Sequence, residues 1–323
     1  ARDAAAPPRA RDGTALTTFA TLLVPPLSEG STGARAYAIL LTDLLRSGLA
    51  RFDDVAVVES PAEQPGGRGS SEDTYSLLGR VARIGNEHRI ALRLRHEVSR
   101  QIVWSAEYVV PDAKRTEGEE MRLMRELAVT LVSPGGVIAR DSGSAKAAAD
   151  PRTVPAACIV LASSALAQGE GPAMSEAREC LADAARDNPR FAAPRAMLAR
   201  LAVETWRTAA APDPTLLDAA LENARAAIKI APQGARNYLA LSDVLAAKGD
   251  RPGAEEAIGR ALELNPYSSE VLAAAAARDI EAGRYADGQR IMGEMAQAGA
   301  PPAPWQSFYA AVASFGSDEW QLR

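Results

Sequence analysis

The sequence predicts an α+β protein: a small α/β sandwich-like domain with a mixed sheet, followed by an all-α solenoid of helical repeats. Three observations predict it. Apolar residues recur mostly at strand spacing up to Ser133 and at helical spacing from Pro155 onwards. The stretch between them is rich in Gly, Ser, Ala and Pro, the composition of a boundary. Beyond it, Ala231-Pro232 and Asn265-Pro266 each close a helical run, and the interval between them is that of a helical repeat, about 34 residues. A chain of 323 residues also exceeds the roughly 250–300 residues at which single cores stop growing.

The chain begins Ala1-Arg2-Asp3 without an initiator methionine, as a processed protein or a piece of a longer one would. Ala1–Gly13 is small, charged and proline-containing with no apolar centre, so residues 1–14 read as a stalk or linker rather than a signal peptide. The α/β domain is expected over residues 15–133. Thr18–Val24 is an apolar, β-branched run stopped by Pro25-Pro26, as a buried strand would be. Tyr37, Leu40, Leu41, Leu44, Leu45, Gly48 and Leu49 recur at helical spacing within Ala34–Phe52. Val55–Val58 is a second strand, and Pro61–Asp73 is a glycine-rich loop. Tyr75–Ile84, His88–His96 and Gln101–Val110 form an antiparallel meander, joined by Gly85-Asn86 and Ser99-Arg100. In its middle strand Ile90, Leu92 and Leu94 alternate with Arg89, Arg93 and Arg95, giving one buried and one wet face. Thr116–Leu131 is a second amphipathic helix. Residues 134–154 read as a linker with a short strand at Gly136–Ala139.

Residues 155–323 read as helical repeats. Within Ala235–Ser268, Tyr238, Leu241, Gly249, Ala254, Ala261 and Pro266 fit the tetratricopeptide (TPR) template. Small Ala254 and Ala261 let two helices approach, Gly249 permits the tight turn, and Pro266 breaks the chain before the next unit. Cys158–Phe191, Ala192–Gly234 and Ser269–Pro302 match less fully. In the last, Gly288 and Met295 replace two expected alanines. Trp305–Phe315 is one further helix.

Composition removes several function classes. The net charge is −5, which argues against broad binding to a phosphate backbone. Two histidines and two cysteines leave little for a zinc centre or a histidine-based triad. No run of about 18 apolar residues is present to span a membrane. Pro65-Gly66-Gly67-Arg68-Gly69 lacks the lysine and hydroxyl of a phosphate loop, and nucleophile-elbow and metal-helix motifs are absent. No catalytic, cofactor-binding or metal-binding residue is assigned, no cofactor is expected, and the chain is read as not an enzyme.

The first half resembles the TolB amino-terminal-like sensory domain that stands beside TPRs in bacterial membrane-anchored regulators. The matching stretches are Leu23-Val24-Pro25, Leu41–Leu45, Leu49–Phe52, Val55–Val58, Tyr75–Val81, Arg89-Ile90 and Trp104–Tyr108. Pro26 departs from the pattern, standing where the family usually has an aromatic. The second half is similar to the TPR region of the same proteins at Ala157–Val160, Glu179–Leu181, Asn188-Pro189 and Leu264–Pro266. The resemblance implies a soluble region following a transmembrane helix, with a DNA-binding winged helix or a nucleotide cyclase on the other side.

Cys158 and Cys180 fall in the two helices of the first unit. Two buried thiols and one disulfide both stand as readings. The resemblance favours the bridge, while its geometry demands that both side chains point inward and that the Cα atoms lie within about 7 Å. The concave face of the solenoid, lined by residues such as Asn237, Ser242 and Arg278, is the expected groove for a protein or peptide partner or for a second copy. The Arg89, Arg93, Arg95 stripe reads as a solvated face, Trp104 and Tyr108 as core. His88 and His96 read as exposed strand-end residues, with pH sensing the rarer alternative. The functional expectation is a sensory, protein-interaction region of a signalling or transcriptional regulator. A small-molecule effector at the domain interface is an option. Nucleic acid is not bound directly by this segment, and the membrane is reached only through a segment upstream of Ala1. The expected location is periplasmic, with cytoplasmic as the alternative, and a non-switching envelope scaffold is the second function.

Overall fold

The computed structural model describes residues 20–53, 55–60, 73–114, 116–146, 155–169, 171–211, 213–300 and 304–316. The stalk at 1–14 and most of the Pro61–Asp73 loop lie outside them.

Six strands form one mixed sheet, in the order β3-β1-β4-β5-β6 with β2 against the far half of β4. β1 (Ala20–Leu23) runs parallel to both β3 (Val55–Val58) and β4 (Thr74–Ile84). β2 (Ser28–Glu29) is also parallel to β4, at Arg80 and Val81. β4, β5 (Glu87–His96) and β6 (Ile102–Pro111) make the antiparallel meander. The two-residue Gly85-Asn86 hairpin needs a left-handed residue, and Gly85 supplies it at φ +61°.

Helices cover one face of this sheet. α1 (Arg35–Leu49) presents Tyr37, Leu41, Leu45 and Leu49 to the core. Leu40, expected in the same stripe, is 44% exposed, because the inward row is the i, i+4 series that starts at Tyr37. α2 (Glu117–Leu131) opens on Thr116, whose hydroxyl accepts from the Glu119 amide, with Glu117, Glu119 and Glu120 at the positive end of the helix dipole. Met124, Leu127 and Leu131 are buried beneath it. Arg89 and Arg93 stand on the wet face, so the sandwich has two layers, and the expected fold class is the observed one.

Where a short strand is expected at Gly136–Ala139, the chain is helical from Val137, and residues 147–154 of the expected linker lie outside the described residues. α3 (Val137–Lys146) buries Ile138 and Ala139 in the first core, and Asp141 accepts a 2.7 Å hydrogen bond from the Tyr75 hydroxyl. The reversal between α2 and α3 is too tight for a side chain: a Cβ on Gly136 would sit 2.8 Å from the Leu131 carbonyl oxygen. A segment this short, held by one tertiary face, carries no helical period of its own to read.

The second half is a TPR-like array of helix pairs: α4 (Pro155–Gln168) with α5 (Pro172–Asp187), α6 (Ala193–Thr208) with α7 (Pro214–Ile230), α8 (Ala235–Ala247) with α9 (Arg251–Leu264), and α10 (Ser269–Glu281) with α11 (Tyr285–Gln297). α12 (Pro304–Gly316) follows. Each of the three X-Pro signals falls just past a helix end, as expected. Gly249 and Gly283, at equivalent places in successive units, turn helix A into helix B at the same φ of +81°. Gly288 replaces alanine because Ile280 has taken the space: a Cβ there would meet it at 2.5 Å.

The two halves are fastened at the α9–α10 junction. Arg51 donates to the carbonyls of Glu263 (3.2 Å) and Leu264 (2.8 Å), and the Asn265 amide donates back to the Arg51 carbonyl at 3.0 Å. Tyr267 enters the α/β core beside Gly48 and Met124. Arg125 of α2 reaches the Pro266 carbonyl and pairs with Glu294 of α11.

Ala261 is fully buried between helices. Ala261→Leu is therefore expected to cost about 1–3 kcal/mol, read as a lowered Tm, since no low-energy rotamer has room. An unchanged melting temperature would show that the repeat register is wrong.

Candidate functional site

The A helices α4, α6, α8 and α10 lie side by side, and the face they share carries half-buried charge from α6, α8 and α10. Arg200 of α6 spans three helices. Its Nε lies 3.2 Å from Asp243 of α8 and its Nη1 2.7 Å from Glu270 of α10. Burial alone would lower the Arg200 guanidinium, but Glu270 and Asp243 outweigh it and hold it above its ordinary value. Burial alone would likewise raise Glu270; Arg200 and Arg236 reverse that and keep the carboxyl below its usual 4.5.

Further along α10, Arg278 is only 6% exposed. Its Nε sits 3.1 Å from Glu281, which also accepts the Tyr309 hydroxyl of α12. Burial first, and then the Glu281 bond, push the Tyr309 hydroxyl up to about 12, so it stays protonated and donating. The Arg278 Nη1 is buried with no hydrogen-bond partner and borders a void of about 50 Å³ shared with Arg200, Asp243 and Glu270. That void has room for ordered water and little more.

Next to it opens a cleft of about 630 Å³. Ser163 and Ser164 of α4, Arg200 and Glu270 line the solenoid side, while Thr130 and Arg140 approach from the α2–α3 region of the first domain. Its apolar wall includes Val160, Leu166 and Met295. Apolar walls with a few convergent polar groups, placed between two domains, are the features of a ligand cleft.

The sequence-predicted groove residues stand differently. Asn237 is 2% exposed and donates to the carbonyls of Ala227 and Ala231, tying α8 to the turn before it. Ser242 is fully buried and donates to the Ala254 carbonyl at 2.9 Å, tying α8 to α9. Both face helix B rather than the groove. Helix A is covered on more than one side, and a helical wheel does not say which covered side is concave. Arg278 does border the groove, held beneath Glu281 and Tyr309.

Hydrophobic periodicity does not reveal this charge ladder, but the repeat spacing carries a signal for it. Arg200 and Asp243 stand at the same offset past their units' prolines, Pro189 and Pro232. Arg236 and Glu270 likewise share one offset past Pro232 and Pro266. Equivalent positions in adjacent repeats are spatial neighbours, so these are two complementary pairs.

His88 corrects another expectation. It is 2% exposed, with Nδ1 2.9 Å from Asp112 and its ring 4.7 Å from that of Tyr37. It shares strand parity with Ile90 and Leu92, which places it on the core face. His96 is half-buried, with Nδ1 2.9 Å from the Ser99 hydroxyl. Arg95 pairs with Glu97 at 2.8 Å, and Trp104 and Tyr108 rest against the first core. Cys158 and Cys180 are joined by a disulfide, Cα to Cα 5.5 Å, with both side chains turned between α4 and α5. Among the described residues no group of three or more His, Cys, Asp or Glu could hold a metal ion, and no helix is long and apolar enough to cross a membrane.

Comparison with protein-family models and with curated proteins finds no match. Among solved structures, a thermophilic TPR protein of Thermus thermophilus is similar in part: 22% identity and a TM-score of 0.43, over 54% of this chain and 89% of that one. The chain's own geometry defines its class, a two-layer α/β domain joined to a TPR-like solenoid. Such helical arrays present extended concave surfaces suited to protein interaction.

Two measurements follow. Reducing the Cys158–Cys180 bridge, which closes a loop of 22 residues, is expected to remove about 3 kcal/mol and lower Tm by several degrees. The Glu270 carboxyl, lowered in the folded state, contributes stability that is fully present above about pH 4.5 and lost as pH falls through the lowered value. Glu270→Gln should therefore melt below wild type at pH 7, and the gap should narrow on acidification. A gap of constant size would contradict the ion pair's role.

Proposed function

We propose that this chain is the sensory, protein-interaction region of a bacterial signalling or transcriptional regulator. It takes a partner protein, a peptide or a small ligand in the solenoid groove or in the cleft beside it. The observation that supports this most is that cleft of about 630 Å³, with α4, α6 and α10 on one side and the α2–α3 turn on the other. A ligand held by two domains favours whichever arrangement fits it, so binding there biases the relation between them. The resemblance of the first half to TolB amino-terminal-like domains supports a sensory role, a periplasmic location and an anchor upstream of Ala1. The Cys158–Cys180 bridge is compatible with an oxidising compartment. Recognition is of protein, peptide or small effector, without catalysis, cofactor or direct nucleic-acid contact.

The second reading is a non-switching scaffold in an envelope complex. What favours it is the fastening by Arg51, Asn265 and Tyr267, which resists relative motion.

Coding sequence upstream of Ala1 distinguishes the two: one apolar span with a winged helix or cyclase beyond it supports the regulator, and a lipoprotein leader directly before Ala1 supports the scaffold. In spheroplasts of the native host, added protease is expected to digest this region, and neither cysteine should alkylate under denaturing, non-reducing conditions. Protection from protease together with two alkylated thiols would overturn the periplasmic part of the proposal.

A further inference from the structure

β6 ends the sheet, and among the described residues its far side pairs with no strand. The phase of its outward groups follows from the ladder. The Asp112 amide donates to the Asn86 carbonyl at 2.8 Å, in register with the β5–β6 pairing, so every second residue back from Asp112 bonds inward. Ala106 and Tyr108 are therefore bonded to β5, while Ser105, Glu107 and Val109 turn their N–H and C=O groups away from the sheet. All three are exposed, Val109 by 52%.

Natural edges are usually blunted by lysines, by prolines or by being very short. This one is ten residues long, carries a single charge (Glu107), and has its proline only at the last position, Pro111. Its one irregularity is a bulge near Ile102–Trp104.

We propose that β6 pairs antiparallel with β6 of a second copy about a two-fold axis at Ala106, fusing two sheets into one. Only an axis through a residue lets outward groups meet outward groups, which leaves three central choices. An axis at Glu107 sets two carboxylates face to face. An axis at Ser105 runs the pairing into the bulge and sets Val109 against Gln101. An axis at Ala106 sets Ser105 opposite Glu107 twice, and on the helix-covered side Trp104 opposite Tyr108, a favourable cross-strand pair. In this register no like charges meet, the Glu107 carboxylate faces the Ser105 hydroxyl, and an aromatic pair forms, so the occupant that fits the edge is another copy of this chain.

Sedimentation of the full chain is expected to show a monomer–dimer equilibrium. Ser105→Glu faces Glu107 with a like charge at two places and should weaken the dimer by roughly tenfold or more. Ser105→Lys, at the same exposed position, should preserve or tighten it. In the proposed register Ala106 opposes itself in a non-hydrogen-bonded pair about 4.5 Å apart, within disulfide reach. Ala106→Cys should therefore cross-link to a covalent dimer on mild oxidation, and Ser105→Cys should not. Should Ser105→Glu lower Tm, the lysine variant and the cross-link decide the matter alone. A monomer at every concentration, or a dimer indifferent to both Ser105 charges and not trapped by Ala106→Cys, would overturn the proposal.

Discussion

Tyr267 stands in the short link between α9 and α10, and its ring belongs to the core of the other domain. The arrangement depends on Gly48, where a Cβ would lie 2.4 Å from the Met124 methyl and 3.3 Å from the Tyr267 ring. With glycine there, α1 and α2 leave a slot that the tyrosine fills. Asn265 fixes the approach: its side-chain oxygen accepts from the Tyr267 amide at 3.1 Å while its amide bonds the Arg51 carbonyl. An Asn-Pro pair that elsewhere in the solenoid merely ends a helix thus also docks a domain. The place of the α2–α3 turn over the solenoid follows from it, and so does the cleft beneath that turn.

The charge in the groove depends on the same architecture. Removing Arg200 from water is costly, and it is tolerated because carboxylates from two neighbouring helices meet it. Such a network contributes less to stability than well-packed apolar residues of the same volume would. Its effect is on register, because Arg200 meets Asp243 and Glu270 together only if α6, α8 and α10 stack in one way. The groove is consequently a rigid polar floor beside an apolar wall.

The sheet shows the same division between a finished and an unfinished boundary. Helices cover one face, water the other, and β3 is four residues long, too short an edge to recruit much. Among the described residues, β6 alone is a long, nearly uncharged edge with no strand on its far side.

Much of this was legible in the residues alone. Period 2 in β4 to β6, the Tyr37 to Leu49 row, the X-Pro stops and the regular repeat interval are all set by local chemistry: alternation, helical spacing, and the missing amide of proline. They determined the α/β domain, the helix pairs and their register. Three things were not local. α3 forms because Ile138 and Ala139 join the first core and Asp141 meets the Tyr75 hydroxyl across the fold. Asn237 and Ser242 turn away from the groove because their hydrogen bonds go to carbonyls of the neighbouring helix or turn. The cleft exists because Tyr267 joins a core built from a distant, earlier part of the chain. Sequence determined which segments are strands and which are paired helices, since those choices are made within a few residues. Only the tertiary structure decided which face of helix A is concave and where the two halves meet, since those depend on burial shared between residues the chain keeps far apart.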